Sequence, residues 1–187
     1  MHQCTFDRIA PPSRAASCIS LIGMAGVGKS TIGMLLAREL DWAFTDSDHI
    51  IEALYGTRLQ TVTDELGKEA FLDVEDGVVS SLRLQRAVIA TGGSVVYRER
   101  CMRHLQDMGP VVYLEAPLEI IEERIARNPQ RGLAIGPGQS IADIFYEREE
   151  LYRKYCSLRC VTHPYTPVQC VRWILAHMDV ASLDETA

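Results

Sequence analysis

No stretch of the chain approaches the ~20 consecutive apolar residues that a membrane-spanning helix needs. Residues 1–17 are polar, carry Pro11 and Pro12, and lack the apolar run of a secretory signal. A basic excess is missing too: 19 Lys and Arg stand against 25 Asp and Glu, for a formal charge of −6. A surface that gathers nucleic acid or anionic lipid needs the opposite balance. There is no internal repeat and no low-complexity tract. These absences lead to the expectation of a cytoplasmic monomer whose partner is a small-molecule substrate, with neither nucleic acid nor membrane as a ligand. In that compartment the six cysteines read as reduced thiols. Cys156, Cys160, His163 and Cys170 lie close in sequence, but their spacing matches no common zinc finger. Cys156 and Cys160 fall one turn apart on an expected helix, so packing thiols are the simpler reading.

The 187 residues suit one domain with its own hydrophobic core. Short apolar runs at Cys18–Ile22, Ala43–Thr45, Ala87–Thr91, Val111–Glu115 and, more weakly, Leu158–Thr162 read as covered strands. Between them lie amphipathic segments, Lys29–Leu40, Ser47–Tyr55, Lys68–Leu84, Arg98–Met108, Leu118–Arg127, Ser140–Tyr155 and Pro167–Met178, that read as helices. Regular alternation of this kind predicts an α/β fold: a five-stranded parallel sheet of the P-loop NTPase type with helices on both faces. Residues 18–180 form the expected domain, with tails at 1–17 and 181–187. The Gly- and Pro-rich stretch 128–139 breaks the rhythm and is expected to be a mobile lid.

Gly23-Met24-Ala25-Gly26-Val27-Gly28-Lys29-Ser30, followed by Thr31, satisfies the Gly-x-x-x-x-Gly-Lys-Ser/Thr pattern between a strand and a helix. Glycines let backbone N–H groups turn inward around phosphate oxygens, and the helix N-terminus adds positive partial charge. Lys29 then bridges the β and γ phosphates of ATP, and the Ser30 hydroxyl serves Mg2+. A dinucleotide fingerprint is excluded, because Thr31 occupies the position of its third glycine. The second strand ends in Asp46-Ser47-Asp48. Two carboxylates there, on the same side of the strand end, suit one supporting a magnesium shell and one aligning an attacking hydroxyl. The alternative is a cap for the following helix. Gly92 and Gly93, with Ser94, allow the backbone after the third strand to approach a ligand closely. Arg131 and Arg148 are candidate cations for phosphate or carboxylate charge.

Together these residues resemble the shikimate kinase family. The phosphate loop, Asp46-Ser47-Asp48, Ala90-Thr91-Gly92-Gly93, Val111–Glu115, Arg131 and Arg148-x-x-Leu151-Tyr152 stand in family order and spacing from about Cys18 to Met178. The resemblance implies transfer of the ATP γ-phosphate to a hydroxyl of shikimate with magnesium. Asp46 would support the metal, Asp48 contact the acceptor hydroxyl, Arg131 close from the lid and Arg148 bind the substrate carboxylate.

The chain departs from the family at Leu72, where an arginine grips the shikimate carboxylate, and at Ser94, the third position of a Gly-Gly-Gly turn. Gly132 replaces a proline after Arg131, and Glu150 one before Leu151. Losing one partner of a buried charge pair costs ~2–5 kcal/mol, and leucine supplies no guanidinium fork. Glu75, three residues on and on the same helical face, keeps its charge; Asp73 points ~100° away. Beside other small polyols, two acceptor classes therefore stand side by side. One is shikimate, with Arg58, Lys68 or Arg86 restoring the charge; the other is a hydroxylated amino acid such as homoserine, its ammonium facing Glu75. A further alternative is an ATP-binding regulatory protein without catalysis, against which the intact Lys29, Ser30, Asp46, Asp48 and Arg131 argue.

Overall fold

The computed structural model describes residues 18–127, 132–136 and 138–178. The expected tails at 1–17 and 181–187, and lid residues 128–131 and 137, lie outside the described residues. In chain order the elements are β1 (Ile19–Ile22), α1 (Lys29–Leu40), β2 (Ala43–Asp46), α2 (Ser47–Tyr55), α3 (Leu59–Ser81), β3 (Ala87–Ala90), α4 (Glu99–Met108), β4 (Val111–Glu115), α5 (Leu118–Arg127), α6 (Ile141–Tyr155), β5 (Leu158–Val161) and α7 (Pro167–His177), with a single 3-10 turn at Val95–Tyr97.

The five strands form one parallel sheet in the order β2-β3-β1-β4-β5. β1 and β3 are buried at every position, as strands covered on both faces should be, whereas the edge strands β2 and β5 are partly exposed. The core gathers Ile19, Leu21, Val88, Ile89, Val112 and Leu114 of the three central strands with Leu36 of α1, Ile121 of α5 and Ile174 of α7. A second cluster, Ile51, Leu59, Val62, Phe71, Val78 and Ala134, joins α2 and α3 to the segment before α6. In such a sheet the loops beyond the carboxyl ends of the strands form the ligand crevice. Among the described residues no helix is long and apolar enough to cross a membrane.

Two local expectations are corrected. Helix α3 begins at Leu59 rather than at Lys68, and the two parts meet at Gly67, whose φ of 74° and ψ of 169° are not helical. Thr61, Val62 and Thr63 are weak helix formers. Burial of Leu59, Val62 and Thr63 overrides that weak local preference. Cys156 and Cys160 do not share a helix: Cys156 closes α6, and the Ser157 amide then bonds to Val111 O, so Cys160 lies in β5. Cys160 and Cys170 are buried. Among the described residues no group of three or more His, Cys, Asp or Glu side chains is arranged to hold a metal ion.

Candidate active site

The loop between β1 and α1 has the backbone its glycines predict. Gly23, Gly26 and Gly28 have φ of 141°, 81° and 111°, a region side-chain-bearing residues avoid. A Cβ on Gly23 would also collide with Leu114 O of the neighbouring strand. Helix α1 opens at Lys29 without a side-chain cap, which leaves its first N–H groups to a ligand. Lys29 is only 8% exposed. Its Nζ donates to Gly23 O at 2.7 Å and Met24 O at 3.0 Å, so the ammonium is held over the loop. Burial lowers its pKa to about 8, opposed by the charges of Asp48 and Asp46.

Asp46 accepts a hydrogen bond on each carboxylate oxygen. Its Oδ1 accepts the Asp48 amide at 3.0 Å and caps α2, while its Oδ2 accepts the Ser30 hydroxyl at 2.7 Å. The two aspartates are not a parallel pair on one strand end, as the sequence suggested: Asp46 ends β2 and Asp48 stands in the first turn of α2. They still converge. Lys29, Ser30, Thr31 and Asp48 line one cavity of about 350 Å³ together with Ala25–Gly28, Thr91 and Gly93. Burial first, then Asp46, raises the Asp48 carboxyl to about 7, against the pull of Lys29.

Behind Asp48 the acceptor-side residues pack closely. The Gly92 amide donates to Ser47 Oγ at 3.1 Å. A Cβ at position 92 would collide with Glu75 Oε1 and lie 2.8 Å from Asp48 Oδ1, so only glycine fits between these carboxylates. Glu75, on α3, is 1% exposed. Burial, followed by the charge of Asp48, raises its pKa to about 8, and a hydrogen bond from Ser94 opposes the shift. Leu72 is buried one turn earlier on α3. Arg148, on α6, is also 1% exposed. It donates from Nε to Tyr97 OH at 3.2 Å and from Nη2 to Ala134 O at 2.7 Å, and its guanidinium lies 5.1 Å from the Tyr97 ring centroid. Tyr152 OH donates to Gly93 O at 2.5 Å, fixing the turn after β3.

Of the remaining charged groups singled out from sequence, Lys68 shares the Tyr97 ring with Arg148. Asp73 faces outward and pairs with Arg98 at 2.8 Å. Lys68 donates to Gln139 Oε1 at 3.2 Å and stands over the Tyr97 ring. Arg86 lies over the Trp42 ring, before β3 and so at the opposite end of the sheet. Arg131 lies outside the described residues.

Sequence reasoning missed the far wall of the cavity. Arg124, on α5, donates to Gly26 O at 3.2 Å and Val27 O at 3.1 Å, clamping the loop from outside. Thr162, Tyr165, Pro167 and Cys170 complete that wall between β5 and α7. The capping box of Thr166 and Gln169, with Pro167 in the first turn, fixes where α7 starts. No pattern in the sequence marks Arg124 or Thr162 as lining this cavity.

A family model for shikimate kinase matches residues 25–179. A shikimate kinase of Chromohalobacter salexigens is 42% identical over 143 residues, covering 75% of this chain and 79% of the relative. One of Nitratidesulfovibrio vulgaris is 35% identical over 159 residues, covering 82% and 90%. Among solved structures, shikimate kinase from Acinetobacter baumannii in complex with shikimate superposes with a TM-score of 0.80 at 29% identity, covering 90% of this chain and 96% of that one.

Proposed function

Because the chain belongs to the shikimate kinase family, we propose that it moves the γ-phosphate of ATP to a hydroxyl of shikimate, giving shikimate 3-phosphate and ADP. It is an ATP-dependent small-molecule kinase. The observation that carries the reading is that Lys29 and Asp48 line the same cavity. A phosphate held by the loop and an alcohol held by the aspartate then meet in one space.

Phosphoryl transfer asks a protein for positioning and charge neutralisation more than for covalent chemistry. Here the loop amides and Lys29 receive the β and γ phosphates; the ammonium, bonded to Gly23 O and Met24 O, needs to move only within the loop to reach them. Arg124 and the wall at Thr162, Tyr165 and Pro167 receive the nucleoside end. Ser30 and Asp46, hard oxygen donors 2.7 Å apart, fit magnesium, which when bound neutralises charge on the phosphates. Asp48 orients the acceptor hydroxyl and takes its proton. Arg148 supplies positive charge for the acceptor carboxylate, and Gly92, Gly93 and Ser94 shape the floor between them.

The test is ADP release by purified protein with ATP and magnesium, with and without shikimate. The reading requires release that depends on shikimate and matches ester formation mole for mole. Release at the same slow rate in both would reject it.

A further inference from the structure

The acceptor side holds two carboxylate oxygens without a partner. Glu75 Oε1 and Asp48 Oδ1 are both buried, and neither makes a hydrogen bond. They face the same point, because a Cβ placed on Gly92 would collide with the first and stand 2.8 Å from the second. The Glu75 side chain is enclosed at 1% exposure. Two adjoining buried carboxyl oxygens without a partner call for a hydrogen-bond donor, and a donor that carries positive charge favours the ionised form of both.

Among the described residues no cation donates a hydrogen bond to either oxygen, although Lys29 and Arg148 lie near enough to act on Glu75, and Lys29 and His49 on Asp48, through space. Lys29 bonds to Gly23 O and Met24 O, and Lys68 to Gln139. Arg148 spends Nε on Tyr97 and Nη2 on Ala134 O. Leu72, one turn before Glu75 on the same face of α3, is apolar. At the other end, Arg148 Nη1 lies 3.3 Å from where a Cβ on Gly93 would stand and makes no hydrogen bond with a described residue. The subsite thus offers a donor for an anion at one end and two acceptors for a cation at the other. That arrangement complements a zwitterion.

We propose that the acceptor site is built for an ammonium-bearing hydroxy acid, its carboxylate on Arg148, its ammonium between Glu75 and Asp48, and its reacting hydroxyl beside Asp48. Since Asp48 serves both the hydroxyl and the ammonium, the two groups stand on neighbouring carbons. A carbocyclic acid of the shikimate type with one ring hydroxyl replaced by an amino group has this form. Binding supplies the charge that lets Glu75 ionise, and its proton goes to solvent. The inference rests on the kinase reading above and concerns only which acceptor that kinase prefers.

The experiment measures ADP release against two acceptors, shikimate and its analogue with an amino group beside the reacting hydroxyl. The expected result is a kcat/KM at least tenfold higher for the amino acid. Glu75→Gln, nearly the same in shape, should bring the ratio of the two acceptors down at least tenfold. Leu72→Arg, which adds a guanidinium one turn from Glu75, should reverse the preference in favour of shikimate. Turnover of shikimate with equal or poorer use of the amino analogue overturns the inference and leaves the kinase reading standing. So does a ratio that Glu75→Gln does not move. Use of the amino analogue alone upholds the inference and removes shikimate as the acceptor. ADP release with neither acceptor defeats both readings.

Discussion

Ser30 and Asp46 are joined by a hydrogen bond of 2.7 Å between the Ser30 hydroxyl and Asp46 Oδ2. The bond ties the first turn of α1 to the last residue of β2. Through the other oxygen of Asp46, which caps α2 at the Asp48 amide, it also sets where Asp48 stands. A single carboxylate therefore links the phosphate loop to Asp48.

Ser30→Ala removes one oxygen of the proposed magnesium set and leaves Asp46 bound to the Asp48 amide. The expected outcome is a loss of about 10²-fold in kcat/KM with magnesium, and affinity for ADP without magnesium within about threefold of the parent, since one oxyanion- or metal-side donor contributes roughly that much. Calorimetry with and without the metal distinguishes this from a general loosening of the loop, which would lower both.

Arg124→Ala deletes the clamp on Gly26 O and Val27 O. Hydrogen bonds to charged groups contribute about 1.5–3 kcal/mol, so KM for ATP should rise roughly 10- to 100-fold while KM for the acceptor stays within about twofold. Equal increases for both substrates would mean that Arg124 supports the whole site rather than the nucleotide side.

Glu75 makes stability depend on pH in a defined direction. Its pKa is raised from 4.5 to about 8, by burial first and Asp48 next. Between those values the folded protein keeps a proton that the unfolded chain has released, so the unfolded state binds fewer protons and stability falls as pH rises. At about 1.4 kcal/mol per unit the loss is about 3–5 kcal/mol, or roughly 6–20 °C in Tm for a chain of this size. Thermal unfolding of the ligand-free protein from pH 5 to 8 should show the decline, and Glu75→Gln should reduce it, with the remainder, below about pH 7, coming from the likewise raised Asp48.

Arg148→Lys keeps the charge but loses the fork that bonds Tyr97 and Ala134 O at once. KM for the acceptor should rise about 30-fold or more, with KM for ATP unchanged within about threefold. A proportional rise in both constants would place Arg148 in the scaffold instead.

Much of the site could be read before the fold. Gly23 to Thr31 form a continuous motif whose chemistry follows from residue type and spacing, and Asp46 and Asp48 were marked by standing at a strand end. Leu59–Leu66 escaped because its β-branched run argues locally against helix, and only burial against Ile51 and Phe71 settles it. Arg124 escaped because its partners, Gly26 and Val27, are about a hundred residues away. The orphaned oxygens of Glu75 and Asp48 were invisible for the same reason. Their meeting at Gly92 joins α3, α2 and the turn after β3, three segments with no sequence relation, although the lack of a cation near Glu75 was already evident at Leu72.

The most direct test of a cavity shared by Lys29 and Asp48 is Asp48→Asn, with nucleotide affinity and transfer measured on the same preparation. The asparagine keeps the side chain's shape but takes no proton. With the nucleotide on the loop and the alcohol on the aspartate, ATP affinity should stay within about threefold of the parent while kcat falls by about 10³, within the 10²–10⁴ range of general-base effects. Retained transfer, or a kcat that falls only in step with lost nucleotide binding, would contradict the account.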